Sequence, residues 1–220
     1  MHLSYYTTVA LAFSIYISGI IAIVRFKQIP EKYRPFVYLI WIGCINEVIS
    51  VYLAFRYHNN IICSIIYTLI ESLFFLWFFK KLKLFDGRNK KWLYFLVVLF
   101  VGIWIANSFF TDSFATDITY YFDIVYAFCL VILSIRVINN LLFTERDLIK
   151  NPAFLICIGL VIFFTYQIIQ RMFGLAGLKS SYEFRSNVQV LLYFINFLVN
   201  LIFALAVLWM RKKQAFTLQF

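Results

Sequence analysis

Charge is scarce in this chain. Asp, Glu, Lys and Arg make up 14% of its 220 residues, and 64% are hydrophobic, whereas a soluble domain carries about a quarter charged. That shortage excludes a water-exposed globular surface and points to a polytopic membrane protein. Acid is scarcer still, with 10 Asp and Glu against 20 Lys and Arg. A net charge of +10 is one footprint of nucleic-acid binding. Here the basic residues fall between apolar runs, where membrane topology accounts for them, so no nucleic-acid partner is expected.

Histidine is limited to His2 and His58, both outside the apolar runs, which excludes an intramembrane zinc hydrolase built on histidine ligands. The four cysteines, Cys44, Cys63, Cys129 and Cys157, lie inside apolar runs without metal or redox spacing, and a cysteine so placed behaves as a small hydrophobe. No metal, disulfide or other cofactor is expected. None of the three prolines interrupts an apolar run, and the glycines within runs stand alone. The paired Gly/Pro breaks that mark many transporter sites are missing, and a repeat of the first three runs in the last three finds no support.

Seven apolar runs are long enough to span, given about 20 helical residues per crossing. They cover residues 5–24, 35–55, 61–79, 92–110, 118–143, 152–173 and 188–210. The fold class expected is an all-α seven-helix membrane bundle forming one domain over 1–220. Pro35 and Pro152 stand where first-turn prolines do, Asn151 is a natural N-cap, and Asp86-Gly87 marks a turn. Ala10, Ser14, Ser18 and Ala22 form a small-residue face for close helix packing. The first run lacks a basic n-region before it, so a cleaved signal peptide is not expected.

Basic residues crowd alternate loops. Arg25, Lys27, Lys32 and Arg34 follow the first run. Lys80, Lys81, Lys83, Arg88, Lys90 and Lys91 follow the third, Arg146 and Lys150 the fifth, and Arg211, Lys212 and Lys213 the last. The opposite side carries only Arg56, Lys179 and Arg185, with Arg171 at a helix end. The positive-inside rule then sets the N-terminus outside and the C-terminus in the cytoplasm. The six basic residues between Lys80 and Lys91 also offer a place for anionic lipid or a protein partner, although fixing orientation is reason enough for them. Arg136 lies about 27 Å along the fifth run, within snorkelling reach of the inner headgroups.

Two carboxylates stand out against this apolar background. Glu47 lies about 18 Å above the start of the second run and Glu71 about 15 Å below the start of the third. Both therefore reach mid-depth on consecutive antiparallel helices, and an ionisable residue there is read as functional by default. No Lys, Arg or His shares their depth. Two nearby carboxylates in low dielectric do not both ionise readily, so at least one is expected to be a hydrogen-bond donor or proton carrier. Asn46, Thr68, Asn196 and Asn200 complete the expected ligand or proton site. Tyr67, Tyr121, Asp123, Gln167, Gln170, Arg171, Gln189 and Tyr193 are expected to line a cavity opening outward above it, with Asp123 and Arg171 placed to pair. Taken singly, each of these is also an ordinary interhelical hydrogen-bonding group.

The stretch Asn46-Glu47-Val-Ile-Ser-Val-Tyr-Leu, with Asn59-Asn60 and Ile66-Tyr67-Thr-Leu-Ile-Glu71-Ser-Leu-Phe-Phe, resembles uncharacterised small bacterial seven-helix integral membrane proteins. The resemblance implies a bacterial inner-membrane location and carries no activity. Absent motifs narrow the function further. The last run has no lysine for a retinal Schiff base, and the chain has no Gly-x-Ser-x-Gly elbow. A ligand-sensing or partner-binding membrane module is the leading expectation, a proton- or cation-coupled small-molecule transporter the second. An intramembrane enzyme using only carboxylates is third, and no positive feature points to it.

Overall fold

A computed structural model describes residues 5–58, 60–109, 115–145, 147–174 and 182–211. Side chains at 5, 6, 61, 62, 88, 106–109, 115–121, 174, 182, 183 and 185 fall outside that description. The described residues form eight α-helices and no strand. They are α1 (Tyr5–Ala12), α2 (Ile15–Arg25), α3 (Arg34–Tyr57) and α4 (Ile61–Lys81), then α5 (Lys90–Phe109), α6 (Ala115–Thr144), α7 (Pro152–Gly174) and α8 (Tyr182–Trp209). Six helical stretches are long and apolar enough to cross a membrane: Thr7–Gln28, Glu31–Tyr57, Cys63–Lys81, Phe122–Thr144, Pro152–Phe173 and Ser186–Trp209. The chain is a multi-pass membrane protein. The fourth expected span, at 92–110, falls on α5, a 20-residue helix that is not among those six.

Helix boundaries follow local chemistry. Asn151 caps α7, its side-chain oxygen accepting the Ala153 amide at 3.0 Å, which satisfies one of the amides a helix start leaves without a partner. Pro35 occupies the first turn of α3, where its missing N–H costs nothing. The α3–α4 hairpin turns at His58, whose left-handed φ of 52° ends α3 as its amide bonds Ala54 O. Gly87, at φ 64°, supplies the turn before α5. The last helix starts at Tyr182 rather than Val188, because backbone bonding runs on past the point where hydropathy fades.

The first span is not one uninterrupted α-helix. At Phe13–Ser14 the bonding tightens to i→i−3, with Ser14 N on Leu11 O, Tyr16 N on Phe13 O and Ile17 N on Ser14 O. The Ser14 hydroxyl donates to the same Leu11 carbonyl at 2.7 Å. Serine competes with the backbone in this way, and a mid-helix 3₁₀ stretch is a recognised mark of a hinge or of strain.

From α2 onward each helix packs on its sequence neighbours, and α8 returns to pack on α2 and α1, closing a ring. The small-residue face serves that closure in part. Ser14, Ser18 and Ala22 are buried, while Ala10 is exposed. Inside the ring the core is aromatic: Phe36, Phe78, Phe79, Phe100, Tyr126 and Phe164 are essentially inaccessible. Outside it, Val24, Phe55 and Phe143 stand 78%, 78% and 91% exposed, as an apolar lipid-facing surface requires. Between lipid-bathed helices the hydrophobic effect contributes little, so packing and interhelical hydrogen bonds hold the bundle. Examples are Tyr16 Oη to Cys44 O at 2.7 Å, and Trp104 Nε1 to Ile65 O at 3.1 Å.

Candidate functional site

A cavity of about 160 Å³ lies at the centre of the ring. Six helices contribute to its wall. From α3 come Phe36, Leu39, Ile40, Gly43 and Glu47, and from α4 Tyr67, Glu71 and Phe75. Helix α7 adds Leu160, Phe163 and Phe164, while α8 adds Asn196, Val199, Asn200 and Phe203. Ala12 and Ile15, flanking the tightened turn of the first span, complete the wall. The antiparallel directions of α3 and α4 put Glu47, Tyr67 and Asn196 toward the α3–α4 hairpin end, and Phe36, Phe75 and Phe203 toward the opposite end. The cavity is therefore polar at one end and aromatic at the other.

The two carboxylates are held differently. Glu71 accepts from Tyr126 Oη at 3.0 Å and from Tyr67 Oη at 3.4 Å, one tyrosine on α6 and one a single turn away on α4. Tyr126 is locked by edge-on contacts with Phe100 and Phe164, at centroid distances of 5.6 and 5.4 Å. Glu47 makes no hydrogen bond among the described residues, and it lies within electrostatic reach of Tyr67. Among the described residues no Lys, Arg or His lines the cavity. Asn200, buried at 3% exposure, donates from Nδ2 to Ser14 Oγ at 2.8 Å, tying α8 to the tightened turn. Asn196 makes no side-chain hydrogen bond among the described residues.

Of the expected site residues, Glu47, Glu71, Tyr67, Asn196 and Asn200 come together here. Two do not. Asn46 faces away, into a separate groove between α3 and α4, where its Oδ1 accepts from Cys63 Sγ at 3.2 Å. Thr68 donates to Ser64 O at 2.9 Å on an exposed face, so its hydroxyl serves its own helix. A threonine three residues before Glu71 sits about 60° round the helix from it, enough to leave the ring interior.

Four of the eight residues expected to line an outward opening bond to each other in two pairs. Asp123 and Arg171 form the expected ion pair at 3.0 Å, with Asp123 buried at 5% exposure. Gln170 Nε2 donates to Gln189 Oε1 at 2.8 Å, stitching α7 to α8, and Tyr166 Oη donates to Val188 O at 3.2 Å. Gln167 keeps a buried Oε1 without a partner among the described residues, and Tyr193 is half-buried. The side chain of Tyr121 lies outside the described residues. Among the described residues no group of three or more His, Cys, Asp or Glu is placed to hold a metal ion.

Tyr126 is not among the site residues expected from the sequence. It stands 55 residues from Glu71, and only the packing of α4 against α6 joins the two. Comparison with known protein families, curated proteins and solved structures finds no match.

Proposed function

We propose that this chain is a seven-span protein of a bacterial inner membrane, N-terminus outside, whose central cavity binds a small ligand as a ligand-sensing or partner-binding module. One observation carries the reading: Glu47 and Glu71, from consecutive helices, converge with Asn196 and Asn200 on a single cavity whose described lining has no basic side chain. Intramembrane carboxylates are costly and gather where a ligand or ion is handled. Ring closure between the first and last spans gives occupancy of the cavity a mechanical outlet, because Ala12, Ile15 and Asn200 all touch it.

Transport is the second reading, and the tightened turn at Phe13–Ser14 favours it, because interrupted helices beside a midplane site recur in transporters. One pair of measurements separates the two. The full-length protein in nanodiscs is melted with and without a panel of small amines, amino acids and sugars, and proteoliposomes loaded with a pH-sensitive dye are tested for flux with the same compounds. Sensing requires a stabilising compound whose effect is lost in Glu71→Gln, without accompanying proton movement. Compound-dependent proton flux that Glu71→Gln abolishes overturns sensing in favour of transport.

A further inference from the structure

A second and larger space adjoins the carboxylate cavity. A groove of about 790 Å³ runs between α3 and α4 on the outer side of the ring. Its walls are branched and apolar, among them Ile45 (60% exposed), Ile49 (44%) and Ile66 (48%), so the groove faces the bilayer. Its floor is not apolar. Asn46, Cys63 and Tyr67 lie there, and the Asn46 amide nitrogen donates to nothing among the described residues.

Tyr67 belongs to both spaces. Its ring stands in the seam between α3 and α4, and its hydroxyl leans on Glu71. The seam is narrow because residue 43 is glycine: a Cβ there would stand 3.3 Å from Tyr67 Oη and 2.7 Å from Ile15 Cδ1. Rotation of one side chain would join groove and cavity. The cavity alone, at about 160 Å³, falls below the roughly 300 Å³ at which ligand pockets begin. Together with the groove it is ample.

Resting on the cavity as a ligand site, we propose that the ligand is a lipophilic amine reached from the bilayer. Its hydrocarbon tail lies in the α3–α4 groove, and its ammonium head passes Tyr67 to Glu47 and Glu71. Charge complementarity selects the head, because two carboxylates and two asparagines face it with no cation among the described lining residues. The rings of Phe163 and Phe164 add the aromatic surfaces on which ammonium groups settle. A lipid-facing groove of branched apolar side chains selects the tail.

The test is equilibrium binding of radiolabelled n-dodecylamine, n-dodecanol and n-butylamine to the full-length protein in phosphatidylcholine nanodiscs, with empty nanodiscs subtracted. Dodecylamine should bind saturably, at least about tenfold more tightly than dodecanol, and Glu71→Gln should remove that preference. Ile49→Trp fills the groove without touching the cavity. It should weaken dodecylamine by about fivefold or more, the scale of a lost apolar subsite, and leave butylamine unchanged. Ile45→Trp repeats the test, and the melting temperature of each variant shows that it is folded. Saturable butylamine binding without dodecylamine binding leaves the cavity reading standing and overturns the lateral route. Equal binding of dodecanol overturns the ammonium head. Disulfide cross-linking of two copies through Ile45→Cys makes the groove a protein interface and overturns the proposal outright.

Discussion

The Tyr126 hydroxyl donates to Glu71 across 3.0 Å, and this bond brings α6 to the polar end of a cavity that its own side chains do not line. Tyr126 is 1% exposed and Glu71 is half-buried, so water has little access to replace the bond once lost. Tyr126→Phe keeps the ring contacts with Phe100 and Phe164 and removes only the donor. It should cost about 1–2 kcal/mol in equilibrium unfolding from detergent micelles. In a Glu71→Ala background the same change should cost less than about 0.5 kcal/mol. Equal costs in both backgrounds would mean that the bond contributes nothing to stability.

Asp123 and Arg171 form a different kind of link. Their 3.0 Å ion pair joins α6 to α7. Removing one partner of a buried pair leaves a charge without compensation. Asp123→Ala should destabilise by about 3 kcal/mol, at the low end of the range for buried pairs, because the Arg171 side chain keeps 29% of its exposure. The exchanged pair Asp123→Arg with Arg171→Asp should recover part of the loss in the same unfolding assay. An Asp123→Ala variant as stable as the parent would reduce the pair to a surface contact.

The spans were legible in the sequence because hydropathy and capping chemistry are local. Pro35, Asn151 and Pro152 announce helix starts, and α3, α4 and α7 begin within a residue of the expected positions. The site was half legible. Glu47 and Glu71 could be placed at one depth by counting residues along two antiparallel helices, and both reach one cavity. Rotation about the helix axis was harder to read. Asn46 and Thr68 share that depth but point elsewhere, because angular position depends on which neighbours a helix packs against. The tightened turn at Phe13–Ser14 carries no proline or glycine. Its cause is a serine hydroxyl on a backbone carbonyl, supported by an asparagine 186 residues away.

Glycines offer a paired test of packing. A Cβ on Gly159 would come within 2.6 Å of Phe203 Cε1, and Phe203 is held edge-on to Phe36 at a centroid distance of 5.0 Å. Gly159→Ala should therefore push Phe203 into the cavity end and destabilise the bundle by about 1–3 kcal/mol, the usual cost of overpacking. Phe203→Leu should relieve part of that cost. Gly102, on α5, has nothing within 4 Å of its Cβ position. Gly102→Ala should leave stability unchanged or raise it by up to about 1 kcal/mol through helix propensity. Thermal unfolding of both alanine variants side by side reads the difference.

Orientation can be checked independently of function. With the cysteines at 44, 63, 129 and 157 replaced by alanine, a single cysteine at His58 should react with a membrane-impermeant maleimide added to intact cells. A single cysteine at Lys83 should react only after the membrane is opened. His58 sits at the α3–α4 turn and Lys83 follows α4, so the two positions stand at opposite ends of one helix. On the proposed topology the basic loop around Lys83 lies on the cytoplasmic side. Labelling in the reverse order would invert the topology and with it the direction from which the polar end of the cavity is approached.

Asn200 and Ser14 bind the last span to the tightened turn of the first, through a 2.8 Å bond in a fully buried setting. Asn200→Ala removes that donor and opens space beside the cavity. It should destabilise by about 0.6 kcal/mol, the mean for interhelical hydrogen bonds in lipid, and by no more than about 1.7 kcal/mol, the largest such value. Ser14→Ala removes both the acceptor and the hydroxyl that engages Leu11 O, freeing the backbone to return toward regular i→i−4 bonding. The two substitutions therefore have unlike effects on the turn, although each breaks the same bond. Amide hydrogen exchange at Ser14, Tyr16 and Ile17 should speed up in Asn200→Ala, where the turn loses its support. It should slow in Ser14→Ala, where the helix regularises. Matching exchange rates in the two variants would show that the turn is set by packing around Phe13 and Tyr16, whose rings stack at 5.1 Å, and not by the Ser14 hydroxyl.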